Sequence, residues 1–152
     1  MQDAIGLENG RPADGPPRVL VVDDDPGVRL VCTTTLRREG YDAIEAANAQ
    51  EGYERAIAEK PDLALLDVQM PELDGFGLAA ALLEDERTQQ LRFVFTGDPD
   101  PCTEAQAYEA GALGFLAKPF DPRDFGLFVN RALAHLAPRR NSAVADPSAL
   151  SG

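Results

Sequence analysis

The chain has 152 residues, of which 44% are apolar and 26% are charged, a composition typical of one soluble globular domain. Its formal net charge of −12 argues against direct binding to nucleic acid or to an anionic membrane, because both surfaces repel an acidic protein. No apolar stretch approaches the roughly 20 residues of a transmembrane helix, and the first residues lack the features of a signal peptide. Cys32 and Cys102 lack CxxC spacing. We therefore expect two free thiols, Cys32 in the core, in a cytoplasmic protein.

Two segments rich in glycine, proline and small residues flank the predicted domain. Residues 1–17 contain few large apolar side chains and predict a flexible leader. Residues 138–152 have a similar character and predict a flexible tail. The folded domain is therefore expected to span residues 18–137.

Between these segments, five short apolar runs alternate with helical patterns. Short continuous apolar runs are typical of strands that are buried on both faces. Five strands joined by helical crossovers predict an α/β fold, with a parallel sheet covered by helices on both sides. The predicted strands are Val19–Val22, Tyr41–Glu45, Leu63–Leu66, Leu91–Phe95 and Leu113–Ala117.

Capping residues and apolar periodicity mark the helices. Asp25 precedes Pro26 as an expected N-cap, Asn48 and Glu51 resemble a capping box, and Asp121-Pro122 opens the last helix. The third helix is expected to pass through Leu78 and Leu82, and the fourth to occupy Glu104–Ala110. The inward face of the first helix is predicted to carry Val28, Val31, Cys32, Thr35 and Leu36, with Gly40 after its end.

Four of the predicted strands are followed by polar side chains. Because the carboxyl ends of parallel strands meet at one edge of the sheet, where ligands bind, these side chains predict a single site. Carboxylates suit Mg²⁺, whereas a lysine and a threonine suit phosphoryl oxygens. The pattern indicates a metal-assisted phosphoryl acceptor. The residues concerned are Asp23-Asp24-Asp25, Asp67, Thr96 and Lys118-Pro119.

Four strings around these positions resemble the receiver domain of bacterial two-component response regulators, the CheY-like family. They occur in order, each at the end of a predicted strand, and the resemblance covers residues 18–137. The strings are Val21–Pro26, Leu66–Gly75, Thr96-Gly97 and Gly114–Phe120.

The resemblance implies a flavodoxin-like (βα)5 fold with a five-stranded parallel sheet of order 2-1-3-4-5. It implies that Asp67 accepts a phosphoryl group from a phosphohistidine of a sensor kinase or phosphotransfer protein. It further implies that Mg²⁺ (or Mn²⁺) is held by Asp67, by Asp24 directly, by Asp23 through water and by the main-chain carbonyl of Gln69.

The resemblance also assigns a switch and a downstream protein target. Lys118 would pair with the phosphoryl oxygens, while Thr96 and Phe115 would move inward and change a protein-interaction surface. Gln69 and Asp98 flank the route of the hydrolytic water in this family and are expected to tune the lifetime of the phosphorylated state. Phosphorylation-dependent homodimerisation stays open.

Two other functions compete with this interpretation. A phosphohydrolase that uses Asp67 as nucleophile would usually need a second carboxylate two residues later, and Gln69 stands there. A flavin- or nucleotide-binding module would need a glycine- or hydroxyl-rich loop after the first strand, where three acids stand. The sequence therefore favours a signalling domain over an enzyme, as a stand-alone regulator or as a piece of a longer one. His135 is expected to be an ordinary surface residue.

Overall fold

The computed structural model describes residues 7–8, 11–12 and 15–136. Five strands form one sheet in the order β2-β1-β3-β4-β5, in which every neighbouring pair is parallel. This order confirms the predicted flavodoxin-like fold. The strands are β1 (Arg18–Val22), β2 (Asp42–Ala46), β3 (Leu63–Asp67), β4 (Arg92–Gly97) and β5 (Phe115–Ala117).

Five helices cover the two faces of this sheet. Alternate residues of β1 explain the division, because Val19 and Val21 enter one core while Leu20 and Val22 enter the other. The first core also contains residues of the first and last helices, and the second core contains residues of the other three. The helices are α1 (Pro26–Arg38), α2 (Ala49–Glu59), α3 (Gly75–Glu84), α4 (Pro101–Glu109) and α5 (Pro122–Ala134).

The element boundaries differ from the predicted ones where polar residues continue a regular backbone. Strands β3 and β4 extend past their apolar runs, so that Asp67 and Thr96 lie within the strands and pair in register. Helix α4 begins three residues early because the Asp100 carboxylate accepts the main-chain N–H of Cys102 at 3.2 Å. Strand β5 begins only at Phe115.

The predicted caps are confirmed, whereas one predicted core residue is wrong. Asp25 caps α1 and Asn48 caps α2 through their side chains, and Gly40 adopts a φ of +91° after α1. Cys32 is buried as expected, but Val31 is 37% exposed because it lies at the flank of the inward stripe of α1. His135 is exposed directly after α5.

The segment predicted as a flexible leader contains regular backbone. Leu7–Glu8 and Arg11–Pro12 form a two-residue antiparallel pair, which the composition of this segment did not predict. The predicted tail, residues 138–152, lies outside the described residues, so the boundaries of the folded domain stay a prediction. Within the described part of the chain, no helix is both long and apolar enough to cross a membrane.

Candidate functional site

The predicted site residues meet at the carboxyl edge of the sheet. Strands β1 and β3 pair Val22 with Leu66, so Asp23 and Asp67 follow at the same level on neighbouring strands. Asp67 in turn pairs with Thr96 of β4. Parallel register therefore brings together side chains that are far apart in the sequence.

Asp67 is a buried carboxylate that accepts from two donors among residues 15–136. The residue is 2% exposed, and its Oδ1 accepts the main-chain N–H of Gln69 at 3.1 Å. Its Oδ2 lies 3.3 Å from Nζ of Lys118. A carboxylate has about four acceptor positions, so Asp67 retains acceptor capacity toward the loop side of the site.

Asp23 is held at all four of its polar atoms. Its main-chain N–H donates to the carbonyl of Ala46 at 3.1 Å, and its carbonyl accepts from Nη1 of Arg29 at 2.6 Å. Its Oδ1 accepts the N–H of Asp25 at 2.9 Å, while its Oδ2 accepts from Nζ of Lys118 at 2.9 Å. This carboxylate is 2% exposed and fixed in place.

Three carboxylates form a cluster that fits a hard divalent cation. Asp23, Asp24 and Asp67 each offer one oxygen, and these oxygens lie within 4.8 Å of one another. Asp24 is exposed, whereas the other two are buried. Mg²⁺ prefers a few carboxylate oxygens together with retained water, and a cluster open on the Asp24 side matches that preference.

Lys118 provides the cation of the site. Its N–H donates to the carbonyl of Gly97 at 2.7 Å, which anchors it beside the end of β4. Its ammonium group bridges Asp23 and Asp67, and its side chain is 22% exposed. The Lys118-Pro119 peptide bond is cis.

Burial and crowding change the acidity of the site. Burial, followed in size by the opposing hydrogen bond from Gln69 and by the nearby charge of Asp23, leaves the pKa of Asp67 raised from 3.8 to about 6. Burial lowers the pKa of Lys118, but its hydrogen bond and charge interaction with Asp23 and the charge of Asp67 produce a net increase. The ammonium group is therefore charged at neutral pH, while the Asp67 carboxylate binds a proton more readily than an exposed aspartate does.

The two predicted switch residues lie on the last two strands, and Thr96 pairs with Asp67. Thr96 is buried at 4% exposure, and its carbonyl accepts the N–H of Val68 at 2.9 Å. Phe115 pairs with Phe95 in register and is half-buried against the core on the α2–α4 side. A Cβ atom at Gly97 would lie 3.6 Å from Cζ of Phe115. The ring of Phe115 therefore lies next to Gly97, the residue that follows Thr96.

The residues expected to tune the lifetime lie at the surface. Gln69 and Asp98 are both exposed. Asp98 also lines a cleft of about 500 Å³ together with Lys118, Phe120 and the first turn of α1. Both side chains are therefore accessible to water.

Two residues at the site were not singled out from the sequence. Gly75 opens α3 so close to β3 that an added Cβ would lie 2.4 Å from the carbonyl oxygen of Asp67. Arg29 reaches from α1 to the carbonyl of Asp23. The glycine after Asp74 was visible in the sequence as a helix start, but no local pattern indicates the partner of the arginine.

The sequence comparison decides the family. The family model of the response regulator receiver domain matches residues 19–129. The chain belongs to this family. Phosphorylation of an aspartate is the general mechanism of receiver domains, which act in two-component signalling.

Relatives with longer chains carry the same domain. The receiver is 35% identical to the alkaline phosphatase synthesis transcriptional regulatory protein PhoP of Bacillus subtilis, over 86% of this chain and 52% of that protein. It is 35% identical to the DNA-binding dual master transcriptional regulator RpaA of Synechocystis, over 69% of this chain and 44% of that protein. The chain thus spans about half the length of the curated relatives it matches.

Two solved structures match this chain over almost their whole length. The chemotaxis protein CheY4 of Vibrio cholerae aligns with a TM-score of 0.73 at 27% identity, covering 78% of this chain and 99% of that one. A putative response regulator from Chloroflexus aurantiacus aligns with a TM-score of 0.73 at 32% identity, covering 79% and 99%. These similarities agree with the strand order of the sheet.

Proposed function

We propose that Asp67 is the phosphoryl acceptor of this receiver and takes the group from a phosphohistidine of a sensor kinase or phosphotransfer protein. The observation that carries the proposal is that Asp67 lies buried beside Asp23, with the ammonium group of Lys118 bridging the two carboxylates. After the transfer, the ammonium group of Lys118 would pair with the phosphoryl oxygens, since a cation beside the acceptor stabilises their charge.

Asp23, Asp24, Asp67 and the main-chain carbonyl of Gln69 would hold Mg²⁺, or Mn²⁺. The bound ion would offset the repulsion between the acceptor carboxylate and the incoming phosphoryl oxygens. The roles of the two neighbouring acids differ. Asp24 is exposed and would bind the ion directly, whereas Asp23, which the N–H of Asp25 and the ammonium group of Lys118 hold in place, would contact it through water.

The phosphorylated state is proposed to act through protein contacts in the cytoplasm. Thr96 and Phe115 would move toward the modified Asp67, changing a surface that a downstream protein reads. Gln69 and Asp98 would set how fast water removes the group. The chain would serve as a stand-alone regulator or as the receiver of a longer one.

Intact-mass measurement after incubation with acetyl phosphate and MgCl₂ tests the proposal. We expect the wild-type protein to gain the mass of one phosphoryl group and to lose this gain when EDTA is present. Asp67→Asn should gain nothing. Asp74→Asn is the matched control: its side chain caps α3 at the exposed end of the same loop, and asparagine caps helices equally well. Equal modification of Asp67→Asn and the wild type would refute the proposal.

The same preparation separates a switch from a phosphohydrolase. A receiver consumes acetyl phosphate at the rate at which its own acyl phosphate turns over, and it leaves unactivated phosphomonoesters untouched. Fast release of phosphate from a phosphomonoester such as p-nitrophenyl phosphate, dependent on Asp67, would support the enzyme instead.

A further inference from the structure

Arg29 connects the acidic loop to the edge of the sheet. Its Nη1 donates to the carbonyl of Asp23 at 2.6 Å, and its Nε donates to Oε1 of Glu45 at 3.0 Å. The arginine side chain is only 16% exposed, whereas that of Glu45 is 47% exposed. The planar guanidinium therefore spans two acceptors, a main-chain carbonyl on the loop after β1 and a side chain on β2.

The contact falls on the peptide that joins two of the proposed metal ligands. The carbonyl of Asp23 belongs to the peptide plane that leads directly into Asp24, and a peptide is planar. A donor that fixes this carbonyl therefore fixes the direction in which the main chain enters Asp24. The Asp24 side chain makes no hydrogen bond or ion pair within residues 15–136, so its position depends on the main chain.

We infer that Arg29 is a positioning residue for the cation, resting on the proposed function of the acidic cluster. It holds the Asp23–Asp24 peptide so that the Asp24 carboxylate faces Asp67 before Mg²⁺ arrives. Groups that orient metal ligands raise affinity because the ligands no longer need to be ordered on binding.

The positive charge of Arg29 would by itself lower the affinity for Mg²⁺, which is opposite to the effect of positioning. A cation near the cluster repels Mg²⁺, so removing it should tighten binding if the charge alone mattered. If positioning dominates, removing it weakens binding. The sign of the change in Mg²⁺ affinity therefore distinguishes the two roles.

Isothermal titration of Mg²⁺ into the Arg29→Met variant tests the inference. We expect an affinity weaker by on the order of 10-fold, the size of effect common for residues that orient metal ligands. Arg55→Met is the matched control: it loses the same side chain and one ion pair, with Glu59 on α2, away from the loop. Its affinity should stay within about 2-fold of the wild type, since solvent and salt screen a remote surface charge. Unchanged or tighter binding by Arg29→Met would overturn the inference.

The Arg29→Lys variant gives the same test without a change of charge. A lysine retains one donor for the Asp23 carbonyl but cannot span it and Glu45 as a rigid fork. We expect an affinity between those of the wild type and Arg29→Met. A role through charge alone predicts an affinity for Arg29→Lys equal to that of the wild type, and that result would also overturn the inference. This variant decides the question if Arg29→Met does not fold.

The controls separate a failure here from a failure of the proposed function. If the wild-type protein binds no Mg²⁺ and accepts no phosphoryl group, the function proposed for the cluster fails. If the wild type and Arg55→Met do both, and Arg29→Lys matches them, only the role of Arg29 fails. Far-UV circular dichroism of each variant at the titration temperature establishes that a weaker affinity belongs to folded protein.

Discussion

Two features of the Asp67 environment have opposite effects on the ionisation of its carboxyl group. Its burial disfavours the ionised form, while Lys118 and the N–H of Gln69 favour that form. The neighbouring Asp23 adds repulsion at short range. The proposed binding of a cation and a phosphoryl group would relieve this repulsion, whereas in the free protein the ionised Asp67 lowers stability.

Neutralising Asp67 should stabilise the metal-free protein. The raised pKa, about 6 against 3.8, means that the folded state binds the proton more tightly than the unfolded state. That stability is complete below pH 3.8 and is lost as pH rises through about 6, so ionisation of Asp67 costs stability at neutral pH. Asp67→Asn removes this cost. We expect its free energy of unfolding at pH 7.5 to exceed that of the wild type by about 1–2 kcal/mol, after allowance for partial solvation.

Urea titrations with EDTA at pH 7.5 and at pH 4 check the expectation. The advantage of Asp67→Asn should shrink at the lower pH, where the wild-type carboxyl is mostly protonated in the folded state. An advantage of equal size at both pH values would show that another effect of the substitution is responsible, and a loss of stability at pH 7.5 would contradict the account.

The two cysteines should differ sharply in reactivity. Burial, together with the charge of Asp23, raises the pKa of Cys32 to about 12, whereas Cys102 is exposed at the start of α4. The thiolate is the reactive form. At pH 8, Ellman's reagent should label one thiol rapidly in the native protein and two in urea. The Cys102→Ser variant should lose the rapid phase, and a rapid phase that persists in this variant would place a reactive Cys32 at the surface.

At the level of elements, local patterns predict the starts of α1, α2 and α5 but not the start of α4, and they predict the long-range contacts poorly. The caps Asp25, Asn48 and Asp121 each act within three residues of their own position, so their roles are visible in the sequence. The contacts of Arg29 with Asp23 and Glu45 depend on how β2 pairs beside β1, which no local pattern specifies.

The ends of the strands show a second reason why the predicted and observed elements differ. Apolar runs mark where a strand is buried by hydrophobic side chains, so the predicted β4 stopped at Phe95. The backbone pairs on through Thr96 and Gly97 because β3 and β5 supply partners on both sides. A pattern of hydrophobicity therefore underestimates strands that end in a polar site.

Helix α3 should be sensitive to the smallest side chain at its start. A Cβ at Gly75 would lie 2.4 Å from the main-chain oxygen of Asp67, so the helix would have to move away from β3. We expect Gly75→Ala to lower the free energy of unfolding by about 2–3 kcal/mol. Gly126→Ala in α5 is the control, since its Cβ would meet no atom closer than 3.6 Å. It should be neutral or stabilising by up to about 1 kcal/mol.

Urea titrations of the two glycine variants compare them under the same conditions. A smaller loss for Gly75→Ala than for Gly126→Ala would contradict the close approach of α3 to the acceptor strand. Because Gly75 packs on Asp67 itself, we also expect Gly75→Ala to slow modification by acetyl phosphate.

At the scale of the whole molecule, the topology predicts where the site lies but does not predict which protein a phosphorylated receiver would bind. Alternating strands and helices placed Asp23, Asp67, Thr96 and Lys118 at one edge, and the structure brings them to that edge. A downstream partner cannot be predicted in this way. The curated relatives extend over about twice the length of the matched region. Recognition by a partner depends on the surface of that partner, which the sequence of the receiver does not encode.

The account rests on the acceptor role of Asp67, and mapping the modified residue tests that role most directly. The protein is phosphorylated with acetyl phosphate and MgCl₂, and borohydride then reduces the acyl phosphate so that its aspartate becomes homoserine. Peptide mass spectrometry locates the converted residue. We expect homoserine at position 67 in the wild type and none in Asp67→Asn. Conversion at Asp23, Asp24 or another acid, with Asp67 intact, would contradict the account.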